Sequence, residues 1–133
     1  MEGYGKRVLV VDDDHHARFR MGSILAQHGY SVVPASNGIT ALDELRKRHF
    51  DVVITDDRMP QLSGVDFLKQ IQARHPRLPV ILASTDIQEY AFRHDSRPFA
   101  CLRKPYQKAR LLRAVRSAAQ TTGQRDRSLV TLH

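Results

Sequence analysis

Four short apolar runs in this chain each end in a residue that can handle a phosphate group. Residues 8–11 (VLVV) lead into Asp12, Asp13 and Asp14, and residues 51–55 (DVVIT) lead into Asp56 and Asp57. Residues 79–83 (PVILA) lead into Ser84, and residues 99–103 (FACLR) lead into Lys104 and then Pro105. If the runs are parallel strands of one sheet, their last residues gather along one edge. That edge then carries carboxylates, a hydroxyl and an ammonium. Two unit negative charges ~4 Å apart repel by about 4 kcal/mol at an effective dielectric of 20, so clustered carboxylates call for a cation. The combination suits a Mg²⁺ ion and a phosphoryl group carried on an aspartate.

The elements that would position these residues follow from the apolar pattern. Runs near 6–11, 31–34, 51–55, 79–83 and 99–102 are nearly continuous rather than alternating, as expected of strands covered on both faces. Between the first two, Ala17, Met21, Ile24, Leu25 and His28 recur at helical spacing, and Gly29 follows as a stop. Ser36-Asn37-Gly38 precedes a second helix with Leu42 and Leu45 inward. Ser63 is placed to cap a third, with Val65, Leu68 and Ile71 on one side, and His75-Pro76 ends it because proline cannot continue a helix. A short fourth helix is expected over 86–94. A fifth, about 106–120, carries Leu111, Val115 and Ala118 on one stripe and Arg110, Arg113 and Arg116 on another. Strands alternating with helices predict an α/β sandwich around a parallel sheet, with right-handed crossovers placing helices on both faces. Ligands of such sheets bind beyond the carboxyl ends of the strands.

At 133 residues one domain is expected. The single cysteine, Cys101, excludes an internal disulfide and fits a reducing, cytoplasmic setting; it reads as a small buried residue. No segment approaches the ~20 apolar residues of a membrane span, and the N-terminus lacks a signal-peptide layout. The net charge of +7 is unevenly placed: residues 103–133 hold 8 of the 21 Lys and Arg but only one of the 14 acids, Asp126. The first 102 residues are therefore neutral, and the charge gives no general argument for nucleic-acid binding.

The segments VLVVDDD, DVVITDDRMPQLSG, PVILAS and LRKP together resemble the receiver domain of two-component response regulators, over roughly residues 6–120. Residues 1–5 then form an N-terminal extension and 121–133 a C-terminal tail. The resemblance implies a doubly wound (βα)5 flavodoxin-like fold, a three-layer sandwich whose parallel five-stranded sheet has the order 2-1-3-4-5. On composition Asp56 and Asp57 compete as phosphoacceptor. The family places Met-Pro at the third and fourth positions after the acceptor, here Met59-Pro60, which selects Asp56. The resemblance also implies that Asp12 and Asp13, with Asp56 and the backbone carbonyl of Arg58, bind Mg²⁺ or Mn²⁺. Ser84 and Lys104 would contact the phosphoryl oxygens, and the Lys104-Pro105 bond would be cis. The donor would be a phosphohistidine of a sensor histidine kinase or histidine phosphotransfer protein. Such a chain is a signalling phosphoacceptor rather than an enzyme acting on other substrates.

The resemblance places the output face on the fourth helix, fifth strand and fifth helix, where an output protein or a second copy would dock. The family's switch aromatic falls three residues before the lysine, at Cys101. The HDSRPFA segment lacks the usual glycine-bearing turn. Arg58 and Asp86, each two residues beyond a site residue, are expected to tune phosphoryl lifetime by pairing over the site. Only 13 residues follow residue 120, too few for a DNA-binding winged helix, so output is expected through a partner. Asp14 reads as a helix-start residue. His15-His16 does not make a metal pair, because neighbours on a helix point apart.

Three other readings stand beside this one. A pseudo-receiver, or phosphate-independent interaction module, would keep the fold without the chemistry. A haloacid-dehalogenase-type phosphatase also places Asp-x-Asp after its first strand, as in Asp12-Asp13-Asp14, but then wants Thr or Val where this chain has His16. A nucleic-acid binder would use the basic C-terminal segment, which lacks interleaved aromatics.

Overall fold

The computed structural model describes residues 3–86 and 97–131, with 122–131 as backbone alone. Five strands, β1 (Arg7–Val11), β2 (Ser31–Ala35), β3 (Val52–Asp56), β4 (Val80–Ser84) and β5 (Ala100–Arg103), form one parallel sheet. Its order is β2-β1-β3-β4-β5, as anticipated, and it reverses direction of growth between β1 and β3. Four helices are described: α1 (His15–Gln27), α2 (Gly38–Lys47), α3 (Gly64–Arg74) and α4 (Lys108–Thr131). The helix expected over 86–94 lies almost wholly outside the described residues.

The alternating directions of strand side chains split the core in two. Val8, Val10, Val52 and Ile54 face α1 and α4, meeting Met21, Leu25, Leu111, Val115 and Ala118. Leu9, Val11, Val53 and Leu82 face α2 and α3, meeting Ala41, Leu45, Phe67, Leu68 and Ile71. Both faces of β1, β3 and β4 are therefore covered, which explains their unbroken apolar runs.

Three of the four described helices start where a side chain satisfies a free backbone donor. Asp14 caps α1, its carboxylate accepting from the His16 and Ala17 amides. Asn37 caps α2 through the Thr40 amide, and Ser63 caps α3 through the Asp66 amide. Each such cap is worth about 1 kcal/mol. His75 closes α3 before Pro76, as the sequence predicts.

Two expectations need correction. Cys101 is exposed. In β5 only Leu102 is fully buried, because the strand lies at the sheet edge and Cys101 points away from the α4 face. The C-terminal helix begins at Lys108, and its backbone continues to Thr131, through most of the segment expected to be a tail. Residues 121–131 lack an apolar period to pack, but the hydrogen-bonded backbone of α4 propagates without one.

Candidate functional site

The strand ends converge as their sequence positions require. Backbone bonds continue the ladders past the strands: the Asp12 amide donates to the Ala35 carbonyl (3.2 Å), Asp57 to Ala83 (3.3 Å) and Lys104 to Ser84 (2.8 Å). These bonds pin the first residue after β1, β3 and β5, so that Asp12 and Lys104 are held beside Asp56 and Ser84, the last residues of β3 and β4. Asp12, Asp13 and Asp56 each present a carboxylate oxygen, all within 4.8 Å of one another. Asp12 is buried, Asp56 half-buried and Asp13 exposed.

The Lys104 ammonium reaches this cluster from the far strand. It donates to Asp56 Oδ1 at 3.1 Å and to Asp12 Oδ2 at 3.3 Å. The Lys104-Pro105 peptide bond is cis. Asp12 Oδ1 accepts from the Asp14 amide at 2.9 Å, and Asp56 Oδ1 accepts from the Asp57 amide at 2.9 Å. Arg58 and Asp86 are exposed at the rim, and Cys101 lies within β5, away from the cluster.

The charge balance is poised for a cation. Burial pushes the Asp56 carboxyl up to about 6; the Lys104 hydrogen bond and charge oppose the rise, while the Asp12 charge and Asp57 add to it. Burial disfavours charge on Lys104, but its bond to Asp56 and the charges of Asp56 and Asp12 outweigh this and raise its pKa. A close set of hard carboxylate oxygens, with one ammonium for three acids, fits Mg²⁺ or Mn²⁺.

This shift has a pH consequence. A proton and the cation compete for Asp56, so Mg²⁺ affinity is expected to fall by up to about tenfold per unit as pH drops below about 6. Without a cation the sign for stability is the reverse of the usual acid case. The folded pKa lies above the unfolded value of 3.8, so the contribution of Asp56 is full below that value and is lost as pH rises through about 6. Calorimetric Mg²⁺ titrations at pH 7 and pH 5 check the first point. Comparison of metal-free melting curves with Asp56→Asn checks the second.

Three features escaped the sequence reading. Ser84 is fully buried, and its hydroxyl donates not toward Asp56 but to Asp57 Oδ2, at 2.6 Å. Arg18, one turn into α1, donates to the Asp12 carbonyl at 2.8 Å and so ties α1 to the cluster. Gln61 takes a positive φ of 71° in the β3–α3 loop, where the Leu62 amide closes on the Pro60 carbonyl at 2.8 Å. Only the last carried a possible signal, since the adjacent Pro60 marks a turn. The first two depend on side-chain direction, which spacing alone does not give.

A doubly wound α/β domain with clustered acids and a lysine at its strand ends belongs to the class whose ligands bind beyond the carboxyl ends of the strands. Residues 8–116 match the response regulator receiver domain, and the chain belongs to that family. Receiver domains are the phosphoacceptor modules of two-component signalling and bind Mg²⁺ through acidic residues. The chain is 38% identical over 101 residues to the DNA-binding transcriptional regulator NtrC of Escherichia coli, covering 74% of this chain and 22% of that protein. It is 38% identical over 82 residues to the transcriptional regulatory protein ZraR of Klebsiella oxytoca, covering 62% and 18%. The chain thus spans about a fifth of the length of these curated relatives. A receiver domain structure from Clostridium thermocellum superposes with a TM-score of 0.83 at 29% identity, covering 90% of this chain and 98% of that one. A chemotaxis response regulator of Vibrio cholerae gives 0.79 at 27%, covering 86% and 98%. Among the described residues no helix is long and apolar enough to cross a membrane.

Proposed function

We propose that this chain is a phosphorylatable switch of a cytoplasmic two-component system in which Asp56 accepts a phosphoryl group. The observation that carries this reading is the Lys104 ammonium shared between Asp56 and Asp12 beside three convergent carboxylates. Asp12, Asp13, Asp56 and the Arg58 carbonyl would hold Mg²⁺ or Mn²⁺. The ion, when bound, neutralises the carboxylates and the phosphoryl oxygens that arrive among them.

An Asp56 carboxylate oxygen attacks the phosphorus of a phosphohistidine on a histidine kinase or phosphotransfer protein. The new O–P bond forms as the P–N bond breaks, and the released imidazole takes up a proton from solvent. Lys104 follows the charge onto a phosphoryl oxygen, and Ser84 contributes a hydroxyl donor. Hydrolysis of the acyl phosphate by water returns phosphate and free Asp56. Asp56 ends the central strand, which is paired on both sides, and is itself in register with Ala83 of β4, so the acceptor oxygen is held in position before the donor arrives.

Output is assigned to the face that includes β5 and α4. A groove of about 660 Å³ there is lined by Phe99, Cys101, Arg103, Arg110 and Arg113, among others. Its basic rim favours an acidic partner protein over DNA. The same face could pair two copies of the chain. The signalling body comprises residues 6–120, with 1–5 as an extension and α4 continuing beyond it.

Acetyl phosphate with Mg²⁺ tests the reading, with adducts located by borohydride trapping and mass spectrometry. A single adduct at Asp56, lost in Asp56→Asn, is the expected result. An adduct at Asp12 would favour the phosphatase chemistry, and no labelling by any donor would leave a pseudo-receiver. In the same assay Arg58→Ala and Asp86→Ala are each expected to speed loss of the label, by opening the site to water. Unchanged rates in both would remove them as tuning residues.

A further inference from the structure

Ser84 has one hydroxyl proton, and that proton is already committed. Its Oγ donates to Asp57 Oδ2 at 2.6 Å and accepts from the Asp86 amide at 3.0 Å. A hydroxyl donating to a carboxylate oxygen makes a stronger bond than one donating to a neutral acceptor. The side chain is fully buried, so water does not supply an alternative partner freely. Asp57 in turn has little freedom in its backbone. Its amide donates to Asp56 Oδ1 at 2.9 Å and to the Ala83 carbonyl at 3.3 Å. The carboxylate beside the acceptor therefore holds the hydroxyl on the next strand.

We propose that Asp57 is a positioning residue, a latch that keeps the Ser84 hydroxyl proton turned away from the phosphoryl pocket until a phosphoryl oxygen on Asp56 competes for it. This rests on the phosphoacceptor reading of Asp56. The exchange breaks no covalent bond: the proton stays on Oγ, which turns from Asp57 Oδ2 to the phosphoryl oxygen. The Asp86 amide continues to donate to the same Oγ, so the hydroxyl pivots about a retained contact. Releasing Asp57 opposes phosphoryl binding, and the freed carboxylate becomes an event that other parts of the molecule can sense. Asp57 would act through Ser84 and need not touch the phosphoryl group.

Beryllofluoride, a non-covalent stand-in for the phosphoryl group, provides the test. Its Mg²⁺-dependent affinity is measured by fluorine NMR for the full chain, for Asp57→Ala, for Ser84→Ala and for the double variant. Asp57→Ala is expected to bind about five- to tenfold more tightly, the scale of one hydrogen bond released. Removing a negative charge near the site would also tighten binding, whatever Ser84 does. The decisive quantity is thus the cycle: in the Ser84→Ala background the gain should shrink at least about threefold. Equal gains in both backgrounds, or weaker binding by Asp57→Ala, overturn the latch and leave Asp56 as acceptor. Undiminished binding by Asp56→Asn, or none by the unaltered chain, overturns the phosphoacceptor reading and the latch with it.

Discussion

Gly64→Ala is expected to destabilise the domain by about 3 kcal/mol or more, at the upper end of overpacking effects. A Cβ at this position would lie 2.4 Å from the Asp56 carbonyl oxygen and 2.7 Å from Asp57 Cα. Both neighbours are backbone, so no rotamer change relieves the clash. The Gly64 amide also donates to the Asp57 carbonyl at 3.2 Å, which holds the start of α3 against the end of β3. Relief requires moving α3 or moving Asp56, and Asp56 is held in register with Ala83 of β4. The substitution should therefore weaken Mg²⁺ binding as well as lower the urea midpoint. Gly38 supplies the contrast. A Cβ there would lie 2.8 Å from Leu62 Cδ2, which can turn aside, and 3.2 and 3.3 Å from Leu62 Cγ and Cβ, which need give only slightly. Gly38→Ala, in the first turn of α2, is expected to cost less than about 1 kcal/mol, helped by the better helix propensity of alanine. Similar losses for both variants would refute this account of Gly64.

Lys104→Met is expected to lower metal-free stability at pH 7 by about 2 kcal/mol. Removing one partner of a buried ion pair costs roughly 3–5 kcal/mol, because the other charge stays behind. The Lys104 side chain retains 22% exposure, so the cost is reduced by solvent screening. What remains is Asp12 and Asp56 side by side without their counter-charge. The Asp56 carboxyl, already raised to about 6, should then move higher still. Two results follow for the variant. Its deficit relative to the unaltered chain should shrink as pH falls toward 5 and Asp56 takes up a proton. Mg²⁺ should also restore it more than the unaltered chain, since a ligand at 100 times its Kd adds about 2.7 kcal/mol. Thermal melts with and without Mg²⁺ measure both. A deficit that neither Mg²⁺ nor acid reduces would mean that Lys104 serves packing rather than charge balance.

The strands and most helix starts were legible because their signals are local. Continuous apolar runs such as VLVV and PVILA require covering on two faces, and Asp14 and Ser63 cap the helices their positions suggested. The meeting of Asp12, Asp13, Asp56 and Lys104 was legible for a topological reason. A parallel sheet brings all its carboxyl ends to one edge, so knowing each strand's last residue was enough. Side-chain choice among neighbours was not legible. Nothing in DVVITDD says that the second Asp, rather than the first, receives the Ser84 hydroxyl, since this depends on χ angles and on strand twist. Cys101 was misjudged because a small apolar residue in a strand can face either way, and β5 is a short edge strand. Likewise α4 outlasted its apolar stripe, because a helix already nucleated on Leu111, Val115 and Ala118 needs no further burial to continue.

The sheet order has one more consequence. Four of the five strands contribute a group to the site, and the edge strand β2 contributes only the Ala35 carbonyl that steadies Asp12. The span from Asp12 to Lys104 is set by three successive ladders, β1 to β3, β3 to β4 and β4 to β5. No single loop can drift and change it. Fluctuations that alter the spacing of the charges must break strand pairing, so they belong to slow, subglobal opening. Fast fluctuations are left to side-chain rotations such as that of Ser84. If Asp56 accepts a phosphoryl group as proposed, the layout separates timescales: the group meets a rigid frame, and the Ser84 hydroxyl, once released by Asp57, is the part that responds.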